Sequence, residues 1–204
     1  MSPTTARPAG RPRNPELDQA ILAAAEQQLR EAGYAGMSLE SVAAAAGTTV
    51  PAVRRRFRSK ACVAVAVIDS LRVENMPAES GPPRSRALAV LRNFRANLLR
   101  QNSMAVAGTL LAEEHRHPEL LAAFRHRLVE PRRAALRRAL AEGISSGELP
   151  DSADPDVLAN MLIGSFYARY IATSDIPDDW AERTLRHVWP DAPQRTAMSA
   201  RRAG

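Results

Sequence analysis

Helix-capping residues and glycines recur so closely between positions 14 and 60 that this stretch can fold only as several short helices joined by tight turns. Asn14 followed by Pro15 reads as an N-cap with proline in the first helical position, where its missing N–H costs nothing. Leu17, Ile21, Ala24, Ala25 and Leu29 then repeat at helical spacing, and Gly33 and Gly36 end the helix. Ser38 caps a second helix that buries Leu39, Val42 and Ala46. Gly47 follows at once, the residue best able to take a left-handed turn conformation. Thr49 caps a third helix with Pro51 in its first turn, and Val53 and Phe57, four apart, share its buried face. Ser59 caps a fourth helix running to about Glu74.

The spacing predicts an all-α chain. After a linker at 75–84, helices are expected at about 85–101, 103–116, 118–143, 154–174 and 178–189, with breaks at Asn102, Pro118, 143–150 and Pro177. Residues 1–13, with Pro3, Pro8, Pro12 and Arg7, Arg11, Arg13, read as a disordered basic arm, either inert or reaching a DNA minor groove. Residues 191–204 read as a flexible tail. Apolar residues make up 45% of the 204-residue chain, enough for a core. The expected organisation is an N-terminal three-helix helix-turn-helix DNA-binding domain over 14–60 and a helical domain over 61–190.

In helix-turn-helix geometry the tight turn Ala46-Gly47-Thr48 sets the second and third helices at a steep angle, so that the third can enter a major groove. Charge agrees with that reading. The chain carries a formal net charge of +6, and Arg54, Arg55, Arg56, Arg58 and Lys60 follow Thr48 with no acidic residue among them. Val50, Pro51, Ala52, Arg54 and Arg55 are expected on the exposed face of the third helix.

Other classes find little support. The single cysteine, Cys62, allows no intrachain disulfide and, flanked by Ala61 and Val63, reads as a small core residue rather than a redox sensor. No apolar run approaches the roughly 20 residues that span a bilayer, and the polar N-terminus lacks a secretory h-region, so a soluble, cytoplasmic protein is expected. Glu113 and His117, with Glu114 and His115 between them, have no third ligand spaced to complete a metal site. No phosphate-binding loop, dinucleotide turn or nucleophile–base order appears, so no catalytic residue, metal or cofactor is assigned and an enzyme is not expected.

Read together, Ile21-Leu22-Ala23-Ala24, Gly33-Tyr34, Ser38, Val42-Ala43, Ala46-Gly47-Thr48-Thr49, Val53, Phe57 and Ser59-Lys60 resemble the N-terminal signature of TetR-family transcriptional regulators over about residues 17–70, without insertions. The remainder is similar to the family in length, helical pattern and the helix start Ile176-Pro177-Asp178-Asp179-Trp180. Two positions depart: Arg54 stands where the family usually has tyrosine, and Thr48 where it usually has an apolar residue. An arginine at 54 can bind phosphate or read a guanine bidentately, so the operator sequence does not carry over.

The resemblance implies base-facing roles for Thr49, Val50, Pro51, Ala52 and Arg54, and phosphate contacts for Ser38, Arg55, Arg56 and Lys60. Lys60, the chain's only lysine, sits in the first turn of a helix, where the dipole already favours phosphate. Tyr34 is expected to pack among the helices. The resemblance also implies that the C-terminal helical bundle binds a ligand and dimerises. A small apolar effector would sit among Phe94, Leu98, Met104, Leu110, Leu111, Phe124, Met161 and Ser165. Gly164, Ala168 and Ala172 form a stripe of small residues that lets another helix approach closely. With Leu158, Leu162, Ile171, Trp180, Leu185 and Trp189 they resemble the family's homodimer interface. The function so implied is a bacterial homodimeric repressor on double-stranded DNA with a pseudo-palindromic operator, released by the effector. An activator, or a regulator tuned by a protein partner, is the alternative.

Overall fold

The computed structural model describes residues 14–71, 76–77, 79–100 and 103–190; the basic arm and the terminal tail read from the sequence lie outside them. The described residues form helices and no strands. In chain order these are α1 (Pro15–Glu31), a single turn α2 (Gly33–Gly36), α3 (Leu39–Ala45), α4 (Val50–Arg56), α5 (Lys60–Ser70), α6 (Pro83–Leu99), α7 (Ser103–Ala112), α8 (Pro118–Phe124), α9 (Glu130–Ser145), α10 (Pro155–Thr173) and α11 (Trp180–Val188). A π-helical turn, Arg125–Val129, joins α8 to α9.

The starts follow the expected chemistry. Asn14 Oδ1 accepts from the Glu16 amide at 2.9 Å, Ser38 Oγ from Ser41 at 3.0 Å, Thr49 Oγ1 from Ala52 at 3.4 Å and Ser59 Oγ from Cys62 at 3.2 Å. Ser41 completes a capping box by accepting from the Ser38 amide. Asp154 caps α10 in the same way.

Three helices differ from the expectation. The helix expected to run from Ser59 to about Glu74 ends at Ser70, with Leu71 as its C-cap. The helix expected over 103–116 stops at Ala112: past it the Glu114 and Arg116 amides donate only three residues back, to the Leu111 and Glu113 carbonyls, in turns that lead to Pro118. The helix expected over 118–143 is interrupted by the π-turn, which ends at Val129, two positions before Pro131. Proline cannot donate to the carbonyl four residues back and its ring collides with it, so a wider turn there removes the conflict.

The chain forms two compact units, Met1–Arg72 with Asn102–Arg127, and Val73–Gln101 with Leu128–Gly204. In the first, α1 packs on α3, α5 and α7, α3 on α4, and α8 on α5 and α7, around Ile21, Val42, Val53, Val63, Val67, Leu110 and Leu120. In the second, α6 packs on α9 and α11, and α10 on α9 and α11, around Leu91, Leu136, Leu140, Leu162, Phe166, Leu185 and Trp189. The units therefore do not follow the linear division at residue 60 expected from the sequence. The buried faces of α5, α7 and α8 are satisfied inside the first unit.

Cys62 is exposed and not a core residue: α5 buries Val63, Ala64, Val67 and Ile68, and that face leaves the thiol outside. Phe57, expected to be buried, is half-buried at the C-cap of α4.

Candidate nucleic-acid interface

The turn between α3 and α4 is a Schellman motif. The Thr48 amide donates to the Ala43 carbonyl at 2.9 Å and the Gly47 amide to Ala44 at 3.2 Å. Gly47 sits at φ 62°, the left-handed region where a side chain is strained. This closes α3 abruptly and lets Thr49 begin α4 two residues later.

α4 presents an outer face of Thr49, Pro51, Arg54 and Arg55, all exposed, with Val50 half-buried. Arg54 and Arg55 have no carboxylate partner among the described residues. Arg58, which the sequence reading did not assign to the site, is likewise exposed and without such a partner. Its signal was its place in the same acid-free basic run. Three of the implied contacts are corrected. Ala52 is buried beside Val53 on the inner face of α4, so its methyl cannot meet a thymine. Arg56 forms an ion pair with Asp18 of α1 and donates to the Ala52 carbonyl at 3.2 Å, so its guanidinium ties α4 to α1. Lys60 Nζ donates to the Ala35 carbonyl at 3.2 Å and lies 4.3 Å from the Tyr34 ring centroid, a cation–π contact that latches α5 to α2. Ser38 is engaged as the α3 cap and through a 2.8 Å hydrogen bond with the Ser41 hydroxyl.

Tyr34 is buried, as expected. Its amide donates to Thr109 Oγ1 at 2.9 Å, and its ring packs edge-on to His117 at 4.6 Å. Burial pushes its phenol above the usual value, and Glu119, Glu113 and Cys62 add to the shift, so the ring stays neutral beneath Lys60.

The residues expected to line one effector pocket divide between the units. Met104, Leu110, Leu111 and Phe124 belong to the first, and Phe94, Leu98, Met161 and Ser165 to the second. Leu110 is fully buried in the core of the first unit, whereas Leu111 is 58% exposed. Met161, also 58% exposed, stands on the outer face of α10 rather than in a pocket. Ser165 Oγ accepts from Trp180 Nε1 at 3.2 Å. Phe94 meets Phe166, Tyr167 and Trp180 in an aromatic cluster.

The interface residues also separate. Leu162, Trp180, Leu185 and Trp189 are buried inside the second unit, because α10 and α11 use that side to cover their own core. Leu158 is half-buried, while Gly164, Ala168, Ile171 and Ala172 are exposed, Ile171 by 82%. Val157 joins them at 52%. Among the described residues no group of three His, Cys, Asp or Glu side chains is arranged to hold a metal ion, and no helix is long and apolar enough to cross a membrane.

A sharp glycine-closed turn between two seven-residue helices, with unpaired arginines on the outer side of the second, defines a DNA-binding protein of the helix-turn-helix class. Residues 21–67 match the bacterial regulatory proteins of the tetR family, and residues 77–188 match the tetracyclin repressor-like C-terminal domain. The chain belongs to the TetR family of DNA-binding transcriptional regulators. It is 25% identical over 176 residues to the HTH-type transcriptional regulator YdeS of Bacillus subtilis, covering 86% of this chain and 89% of that one. It is 29% identical to an HTH-type transcriptional regulator of Mycobacterium bovis, covering 81% and 80%. Among solved structures, a TetR-family regulator from Mesorhizobium loti superposes with a TM-score of 0.62 at 20% identity, covering 87% and 97%. The fatty acid degradation regulator FadR from Bacillus halodurans gives 0.66 at 17% identity, covering 87% and 96%. At these identities the structures share the fold.

Proposed function

We propose that this regulator is a cytoplasmic homodimeric repressor that reads a pseudo-palindromic operator through α4 and is released by a small effector. The observation that carries the reading is the outer face of α4 and the turn after it, where Arg54, Arg55 and Arg58 are exposed without carboxylate partners among the described residues. Charges left uncompensated on one face raise the local concentration of polyanion and contribute most of the binding through released counterions. Thr49, Val50, Pro51 and Arg54 are the base-reading set, and Arg55 and Arg58 the phosphate set, with Ser38 at the start of α3.

The exposed stripe of α10, Val157, Met161, Gly164, Ala168, Ile171 and Ala172, supports the dimer. Its i, i+3, i+4 spacing makes one continuous apolar strip, and a Cβ added at Gly164 meets nothing within 4 Å. A second copy of the helix can therefore approach closely. A two-fold dimer carries two copies of α4, which calls for a palindromic site.

The test is binding to DNA flanking the protein's own gene across a salt series. Two arginine–phosphate contacts per subunit, four per dimer, give a log–log slope of about −4, and a slope near zero overturns the reading. Gly164→Trp should leave helicity unchanged and yield monomers in sedimentation. A mutant that stays dimeric places the interface elsewhere. A true inducer must lose affinity for operator-bound protein by the same factor by which it weakens operator binding.

A further inference from the structure

Arg132, on α9, is only 8% exposed. Its Nη1 donates to the Leu128 carbonyl at 2.6 Å and its Nε to Asn93 Oδ1 at 3.5 Å, both neutral acceptors. Nη2 makes no hydrogen bond among the described residues, and no carboxylate there lies within ion-pair distance of the guanidinium. Its helical neighbours are treated otherwise: Arg133 and Arg137 meet Asp156 at 3.1 and 2.7 Å, and Arg138 meets Glu79. A buried cation is costly unless an anion neutralises it.

The phenol of Tyr167, within electrostatic reach, does not supply that anion. Burial pushes its pKa up, outweighing the opposing pull of Arg132, so it is neutral at physiological pH. Burial lowers Arg132 to about 10, which still leaves it charged at pH 7. Tyr167 itself belongs to an aromatic cluster. Phe94, next to Asn93 on α6, packs edge-on to Tyr167 at 5.9 Å and to Phe166 at 5.3 Å.

We infer that Arg132 anchors the carboxylate of an amphipathic organic acid, whose apolar part lies against Phe94 and Tyr167. The inference rests on the effector-released reading and specifies its ligand class. It also revises the expectation of an apolar effector, because a charged group with a free donor stands next to Tyr167 of the aromatic cluster. The missing counter-charge is supplied by the ligand, so acid binding removes a penalty that a neutral ligand of the same shape leaves in place. Perturbed and unneutralised buried charges mark binding sites for that reason.

The experiment is isothermal titration of the full-length protein with octanoate, dodecanoate, hexadecanoate and phenylacetate, each against the alcohol of matched skeleton. At least one acid should bind the wild type about tenfold or more tighter than its alcohol, about 1.4 kcal/mol. Arg132→Met, checked for native near-UV circular dichroism, should bind acid and alcohol equally, with the alcohol affinity unchanged. If no acid in the panel binds, if the alcohols bind the wild type as tightly as the acids, or if Arg132→Met keeps the acid preference, the inference is wrong. The wild-type comparison stands even where the variant does not fold. An acid that binds through Arg132 without releasing operator would refute the effector-released reading while leaving the anion site intact. Alcohols that release operator while acids do not bind would do the reverse.

Discussion

In the second unit Arg86 meets Glu142, Arg92 meets Glu182, Arg95 meets Asp178, and Arg133 and Arg137 share Asp156. In the first, the arginines on and just after α4 are left open: among the described residues Arg54, Arg55 and Arg58 are exposed and unpaired, and only Arg56 is closed by an acid, Asp18. Exposed ion pairs contribute little stability, typically below about 1 kcal/mol each. Their larger effect is on the field: pairing cancels it over most of the second unit and leaves it standing on one face of the first. The open arginines of α4 thus make a local field on one face rather than a diffuse one. By the same logic Arg132, buried and unpaired in the well-paired unit, stands out more than any surface arginine.

The strongest way to break this comparison is to reverse charge on each side. Arg55→Glu with Arg58→Glu should abolish operator binding in gel shifts at physiological salt. The double alanine variant, which removes four contacts per dimer, should flatten the salt slope by roughly 3–4. Arg137→Glu, in the second unit, should leave affinity and slope unchanged. An equal loss from Arg137→Glu would mean that global charge, not the open face, drives binding.

A smaller effect tests the packing of the second unit. A Cβ at Gly143 would overlap the Trp189 ring, so Gly143→Ala forces the indole out of place. Overpacking of this kind costs about 1–3 kcal/mol, visible as a lowered melting temperature with altered tryptophan near-UV dichroism. An unchanged melt would show that Trp189 does not seal against α9.

Lys60 gives the smallest effect and the sharpest contrast. Because its ammonium is held by Ala35 and Tyr34, Lys60→Met should cost about 0.5–1 kcal/mol of stability and leave the salt slope unaltered. A slope flattened by about 2 would instead return both lysines of a dimer to the phosphate backbone.

Much of the DNA-reading element was legible in the sequence. Asn14, Ser38, Thr49 and Ser59 act as caps because a short polar side chain ahead of an apolar period has few other uses. Gly47 takes the positive φ that the abrupt turn demands. The errors share one cause: the order of residues says which side chains lie on one face of a helix, but not what covers that face. Ala52 and Cys62 were each assigned to the wrong side, one thought exposed and found buried, the other the reverse. The same gap sent Met161 to a pocket and Leu162, Trp180, Leu185 and Trp189 to an interface, when α10 turns the first outward and its own unit buries the other four.

The sequence by itself determined the helical class, the cap-and-turn grammar of α1–α5, the basic run and, through its spacing, the family. These are local properties, set by backbone preferences and side chains within a few residues of one another. Tertiary structure alone decided that α7 and α8 belong with the DNA-reading helices, that Pro131 is accommodated by a π-turn, and which arginines find a carboxylate. Those outcomes depend on groups far apart in the chain: Asp18 and Arg56 are 38 positions apart, and Tyr34 and Thr109 are 75. Whether a charge ends up cancelled, buried alone or open to DNA is settled by such distant pairings, because Coulomb and desolvation energies depend on separation in space and on exposure, not on distance along the chain.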